Sequence, residues 1–519
     1  MPRNAINMLR FSTRIKNDNY KNSSILSSST ADSMKEVMIN DITNARVESA
    51  SAVVNWFLEH MPKSYFKQVP DDIRRQHLKA IAAIQDLNQK DLTLKLFTPH
   101  ASGNGIEVTY ITSGCGEGLL FSQIHGLEIP ADHYLTNVKV FSSLDEKVSL
   151  NIFTFGRQVN FATGTEASIP SIMKFIEEIK VTKHDDYMKN KLSLPSYSDI
   201  YSKSNMNEYF KVIPHSYLSS VRDYRRFLII RSLYNEVKGT EDVAVHIDAF
   251  TDPATQETGS WISVATPNIL PEKMLQIISH FLKFKNFKIH RAHLDNFLNP
   301  ENKIECGSTG YVTMLRLLVS PDPSVTYDEA ELGKFVKDLK RLKWIDDDVI
   351  EMGIRYPSLG LDKAEVIVAL CSMLHGPLSK QNNQEYASIK NVISILDKSP
   401  HFAKLANEIA QLFLDRFNPK VALNDEKFEA RIKAIDSNIK QLHLEGARLL
   451  LLKMLEAVKS TLRTNFFNEN RYGLALRIHP SIMINANSPA QPFGVFFVNG
   501  RNFNAFHCRF RDIARGGIT

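Results

Sequence analysis

Pro492 to Thr519 reads PFGVFFVNGRNFNAFHCRFRDIARGGIT, and this stretch decides how the end of the chain folds. Pro492-Phe493-Gly494 is a turn, and the apolar run Val495-Phe496-Phe497-Val498 after it has strand composition. Asn499-Gly500 is a hairpin signal, because both residues tolerate positive φ. A second strand then alternates: Phe506, Cys508 and Phe510 point one way, His507, Arg509 and Arg511 the other. The chain closes on Ala514-Arg515-Gly516-Gly517-Ile518. A glycine pair beside an arginine brings backbone N–H groups close to an anion while the guanidinium clamps it. A plain basic hairpin is the alternative that spacing leaves open.

The segment FHCRFRDIARGGI resembles the block that opens the catalytic region of the large NAD-specific glutamate dehydrogenases. Thr464-Asn465-Phe466-Phe467 and Leu474-Ala475-Leu476-Arg477-Ile478-His479-Pro480 resemble the lead-in to that block. Weaker likenesses run from Trp56-Phe57 through Tyr65-Phe66 and His77-Leu78, then Arg291 to Asp295, Thr313 to Val319, Leu370 to Pro377 and Asp415 to Pro419. The resemblance implies oxidative deamination of L-glutamate to 2-oxoglutarate and ammonia, with NAD as cofactor and a homo-oligomeric assembly. It implies that Arg515, Gly516 and Gly517 hold the substrate carboxylate, as a Lys-Gly-Gly does in the smaller glutamate dehydrogenases. The family pattern continues with arginine where Thr519 stands here, so the resemblance implies an incomplete member, inactive alone.

Apolar residues make up 43% and charged residues 23%, the balance of a soluble globular protein, and 519 residues suit three or four domains. No run of 18 apolar residues exists, so no transmembrane helix and no membrane partner are expected. Cys115, Cys306, Cys371 and Cys508 lie too far apart for a CxxC metal site and point to a reducing compartment. The net charge of +6 does not by itself call for nucleic acid. From Met1 to Ala31 Asp18 is the sole acid, while Arg3, Arg10, Arg14, Lys16 and Lys21 are basic and serines cluster from Ser23 to Ser29. That is transit-peptide composition, pointing to the mitochondrial matrix; a disordered tail and a cytoplasmic protein are the alternative.

The fold expected is multidomain α/β and α+β. Residues 1–30 form the tail and 31–182 hold N-terminal helices and a first ACT-like (ferredoxin-like) unit. A linker covers 183–204 and a second ACT-like unit 205–325. A helical region covers 326–465, and 466–519 supply the first strands of an α/β catalytic domain. Helices are expected over Val47–Met61 and from Pro70 to about Leu87. The first unit reads strand (Ile106–Thr112), helix after the glycine loop, strands (Asn137–Phe141, Val148–Phe155), helix (Ser168–Ile179). In the loop, Gly114, Gly116 and Gly118 resemble the ACT turn that takes an amino-acid effector; a structural turn is the competing reading. The second unit reads strands Val243–Phe250, Trp261–Thr266, Phe287–Leu294 and Tyr311–Val319 with a helix from Pro271 to about Lys283.

Phe281, Phe284 and Phe287 interleave with Lys283, Lys285, Lys288 and Arg291, which could stack and clamp RNA, but their spacing across a helix end favours packing and no RNP1 motif accompanies them. The helix of Lys363–Leu374 is expected to end at Gly376-Pro377, with His375 a cap or solvated rather than a ligand. Phe402–Phe417 is amphipathic. Phe428, Ile432, Ile435, Ile439 and Leu442 repeat 4-3-4-3, which fits an antiparallel helix pair within the chain or a subunit contact. No strand–GxGxxG–helix, Ser-His-Asp, HExxH or Walker A pattern occurs in the 519 residues. The resemblance implies that the chemistry lies downstream of the Arg-Gly-Gly block, with regulation and scaffold within these residues. A non-catalytic amino-acid-sensing or assembly subunit is the second reading.

Overall fold

The computed structural model describes residues 50–87, 92–99, 105–114, 133–157, 224–251, 258–298, 310–321, 328–379, 386–420, 423–468, 471–482, 492–501 and 503–510, with residues 38, 120, 123–124, 209 and 212–213 between them. The chain divides into two compact units, Met1–Lys340 and Arg341–Thr519.

The first unit opens with α1 (Ala50–His60), α2 (Lys63–Gln68) and α3 (Asp71–Leu87). Pro62 caps the start of α2, and Asp71 and Asp72 place negative charge at the positive end of α3. Four strands follow: β1 (Thr93–Pro99), β2 (Gly105–Ser113), β3 (His133–Ser142) and β4 (Val148–Arg157). They form one antiparallel sheet in the order β1-β2-β4-β3. Ile111, Leu150 and Ile152 face α1 and α3, where Val54, Phe57, Leu78 and Ile81 are fully buried. Gln123 bonds Thr112 and Asn151 on the opposite face.

A second set repeats the plan. After α4 (Tyr224–Val237) come β5 (Ala244–Thr251), β6 (Thr258–Pro267), α5 (Pro271–Phe284), β7 (Phe287–Leu298) and β8 (Tyr311–Pro321), with sheet order β5-β6-β8-β7. Phe227, Ile230 and Leu233 of α4 pack on Ala244, Ala265 and Met314. Helix α5 takes the other face, where the Thr266 hydroxyl meets Met274 Sδ at 3.5 Å. Both sheets are thus covered by described residues on both faces, whereas an ACT-like unit carries its helices on one. Strand β1, which precedes the expected first strand, was not legible in the sequence; the expected helix Ser168–Ile179 and the linker at 183–204 lie outside the described residues, as does the tail to residue 30. Helix α6 (Glu329–Arg341) buries Phe335 against Phe281 and Phe287, with ring centroids 5.5 and 5.0 Å apart. The three phenylalanines are packing residues, not an RNA platform.

The second unit is helical up to Ser460. Helices α7 (Asp347–Arg355), α8 (Gly360–Ser379), α9 (Ile389–Asp397), α10 (Pro400–Phe417), α11 (Asp425–Lys440) and α12 (Glu445–Ser460) follow one another. Asp346, Ser388, Ser399 and Asn424 accept N-cap bonds from the backbone. Helix α8 does not stop at Gly376-Pro377. It runs one turn further with Pro377 inside it, because a proline this near the end removes a single hydrogen bond while Leu378 stays buried. The 4-3-4-3 residues Phe428, Ile432, Ile435 and Ile439 are buried within the chain, and Glu429 pairs with Lys459, so α11 and α12 run antiparallel.

A last antiparallel sheet, β12-β11-β10-β9, follows: β9 (Thr461–Thr464), β10 (Leu474–Ile478), β11 (Gly494–Gly500) and β12 (Phe503–Arg509). Strand β9 falls where helix was expected. Asn499 and Gly500 are still paired within the strands, with Asn504 and Phe503, so the hairpin turns after Gly500 and not at Asn499-Gly500. The shift has a cause: Arg501 is held by an ion pair to Asp347 and by the Trp344 carbonyl at 3.2 Å, and Asn499 donates to Asn504 Oδ1 at 2.5 Å across the strands.

Candidate functional site

The carboxylate-binding residues expected from sequence, Arg515, Gly516 and Gly517, lie outside the described residues; the structure shows what leads up to them. Strand β11 places Val495 and Phe497, both fully buried, opposite Cys508 and Phe506 of β12, so Phe506 and Cys508 share one face and His507 and Arg509 take the other. This alternation is the one expected from the sequence.

The approach to that hairpin is fixed by one carboxylate. Glu365 of α8, 6% exposed, accepts two bonds of 2.5 Å from Arg471 and one from Arg341, which also reaches Asp362 at 2.8 Å. Arg471 lies over the Phe466 ring at 4.9 Å and donates its Nε to the Phe466 carbonyl at 3.0 Å. The Glu365–Arg471 fork is a charge-assisted pair of planar groups. It ties the loop from Phe466 to Gly473, which enters β10, to the helical layer. No spacing in the sequence announces it, since the partners are 106 residues apart.

The glycine turn expected to take an effector is described only at Gly114, which holds φ +94 and bonds through its N–H to the Lys147 carbonyl at 2.5 Å. A Cβ there would meet nothing within 4 Å, so conformation alone requires glycine. Gly116 and Gly118 lie outside the described residues. Beside the turn a buried polar chain runs from Asn151 Nδ2 to Gln123 Oε1 at 2.7 Å, from Gln123 Nε2 to Thr112 at 3.2 Å, and on to Thr93 at 2.9 Å.

Two further buried groups were not singled out by sequence. Asp295 and Arg316 pair at 2.9 Å, 2% and 3% exposed, on adjacent strands β7 and β8. Burial pushes the Asp295 carboxyl up and Arg316 pulls it back down. Cys371 in α8 is buried, and its thiol is pushed up to about 12, which makes it an inert core residue. His375 is half-buried at the end of α8, and among the described residues no group of histidine, cysteine and acidic side chains could hold a metal.

The family described as bacterial NAD-glutamate dehydrogenase, catalytic domain, matches residues 434–519, from within α11 through the β9–β12 sheet to the Arg-Gly-Gly block. An NAD-specific glutamate dehydrogenase of Saccharomyces cerevisiae is 43% identical over 97 residues, 18% of this chain and 8% of the yeast protein. Over these residues the chain is similar to the large NAD-specific glutamate dehydrogenases. Glutamate dehydrogenase 2 of Dictyostelium discoideum is 44% identical over 57 residues, 11% of this chain and 6% of that protein. The NAD-specific glutamate dehydrogenase of Halomonas elongata is 29% identical over 123 residues, 22% of this chain and 7% of that protein. The aligned part of this chain is thus a small share of each relative's length.

Proposed function

We propose that this chain is the regulatory and structural part of an NAD-dependent glutamate dehydrogenase, whose complete assembly deaminates L-glutamate to 2-oxoglutarate. The observation that carries the reading is the β9–β12 sheet with its Arg-Gly-Gly continuation, inside the segment that matches the catalytic domain. Arg515 would clamp a substrate carboxylate, with the amides of Gly516 and Gly517 beside it. Hydride transfer belongs to NAD when it is bound. A dinucleotide is held where a parallel strand turns through glycines into a helix. The sheets of the described residues are antiparallel, and no GxGxxG occurs in the 519 residues, so these residues do not fit NAD. The two four-stranded sheet units would be the sensing part, with an amino acid at the Gly114–Gly118 turn, and residues 1–30 a mitochondrial address.

The test is an assay of the full chain with glutamate and NAD, following NADH. No turnover is expected from the chain alone. Turnover should appear when the remaining catalytic segment of a family member is added, and Arg515→Ala should abolish it. Turnover by the chain alone would sink this division of labour.

A further inference from the structure

The outer face of the β9–β12 sheet carries a row that neither the packing nor the proposed function uses. Register places Arg463 of β9 directly opposite Arg477 of β10, Arg477 opposite Phe496 of β11, and Phe496 opposite His507 of β12. Residues paired across antiparallel strands share a face, so these four side chains form one line across the sheet. Arg463 and His507 are exposed, and Arg477 and Phe496 half-buried. The other positions on this face are Ala475, Gly494, Val498, Gly500, Phe503, Ala505 and Arg509; none is acidic.

Two arginines directly opposite each other repel, and sheets ordinarily pair such positions with opposite charge. Among the described residues neither Arg463 nor Arg477 makes an ion pair, and Arg477 Nε is shut off from solvent without a hydrogen-bond partner. The Arg477 guanidinium lies 5.9 Å from the Phe496 ring centre, and the Phe496 and His507 rings are 6.1 Å apart. Two adjacent guanidinium forks match the oxygens of one phosphate better than a single carboxylate, since each fork can take two oxygens. The midpoint between β9 and β10 is about 7 Å from β11, one and a half strand spacings. A phosphate held there leaves a flat ring attached to it over Phe496 and His507, the stacking partners that sheet surfaces offer to bases.

We propose that this face binds a nucleotide, with its phosphates between Arg463 and Arg477 and its base stacked on Phe496 and His507. The inference rests on the row alone and is independent of the proposed function.

The probe is ADP, titrated calorimetrically into the full chain, with adenosine and pyrophosphate as separate arms. ADP should bind saturably at one site, and adenosine and pyrophosphate should each bind at least tenfold more weakly. Arg463→Gln and Arg477→Gln should each weaken ADP at least tenfold, with melting temperature and circular dichroism unchanged. Phe496→Leu keeps the apolar volume but removes the ring, and should weaken ADP while leaving pyrophosphate affinity as it was. Absence of ADP binding at millimolar concentration overturns the proposal. So does ADP affinity that survives both arginine variants, which would place the nucleotide elsewhere. Pyrophosphate binding as tight as that of ADP also overturns it, since an anion alone would then suffice.

Discussion

His77 is fully buried between the Tyr65 hydroxyl, 3.0 Å from Nδ1, and the Thr109 hydroxyl, 3.3 Å from Nε2. A neutral imidazole satisfies both neighbours, one nitrogen donating and the other accepting. Burial holds its pKa down at about 4. His290 is likewise held at about 4, by burial first and then by Lys288 and Arg291, with Glu146 opposing; its Nε2 meets Ser320 at 2.6 Å. The sign follows from which state binds the proton. Between about pH 6.5 and 4 an unfolded histidine is protonated and these two are not, so the unfolded state gains protons and stability falls as pH drops through that window. Fully buried His77 contributes roughly 3 kcal/mol of this loss, at 1.36 kcal/mol per pKa unit, and half-buried His290 less, because solvent screens it. Calorimetry should show the melting temperature declining from pH 7 to 4.5, with a shallower decline in His77→Gln and in His290→Asn. A wild-type melting temperature flat across that range would contradict buried neutral imidazoles.

Elements were legible in the sequence where period and caps agreed. Strands β5 to β8 and helix α5 lie within a few residues of expectation, because alternating apolar runs are bounded there by Pro271, Gly259 and the turn at Asn286. The misses have one cause, which is that tertiary contacts outweighed local signals. Arg501 moved the hairpin turn, Leu378 kept α8 going past its proline, and β9 forms because Arg463 and Thr464 pair with β10. Of the candidate site, Arg515 to Gly517 are a sequence motif outside the described residues, and the Glu365–Arg471 pair carries no sequence signal because its partners are 106 residues apart.

Gly259 in β6 gives a test at this scale. A Cβ there would lie 2.9 Å from the backbone carbonyl of Val319 and 3.1 Å from Leu318 Cδ1 on the central strand β8. A backbone atom in a paired strand cannot step aside, so Gly259→Ala should cost about 1–3 kcal/mol in chemical denaturation. Gly500→Ala makes an even closer approach, 2.3 Å, but to the ring of Phe503, which is 48% exposed and free to swing out. It should cost less than Gly259→Ala; the reverse order would mean that β8 yields and Phe503 does not.

At the scale of the molecule, the first unit holds a helix followed by a four-stranded 1-2-4-3 sheet twice, the second time with α5 between the second and third strands, and the outer strands β3 and β7 lie against each other. Two bonds mark their line of contact. Asn296 of β7 donates to the Leu135 carbonyl of β3 at 3.2 Å, and at the other end Lys288 pairs with Glu146 just past β3. The start of one strand meets the end of the other, so they run antiparallel. The two bonds differ in worth. Asn296 is 3% exposed and its Oδ1 also accepts from Thr313 at 3.2 Å, so truncation takes its donor from the buried Leu135 carbonyl, while the Thr313 hydroxyl keeps the Ile269 carbonyl at 3.0 Å. Unsatisfied buried groups cost about 1–3 kcal/mol. Glu146 is 64% exposed, and an ion pair so open to solvent is worth less than about 1 kcal/mol. Asn296→Ala should therefore lower the stability of the whole first unit and speed hydrogen exchange of the amides of β3, while Lys288→Ala should change neither measurably. Equal effects from the two variants would show that the sheets are joined by charge at their rim; faster exchange confined to β7 in Asn296→Ala would show that β3 holds its place without its neighbour.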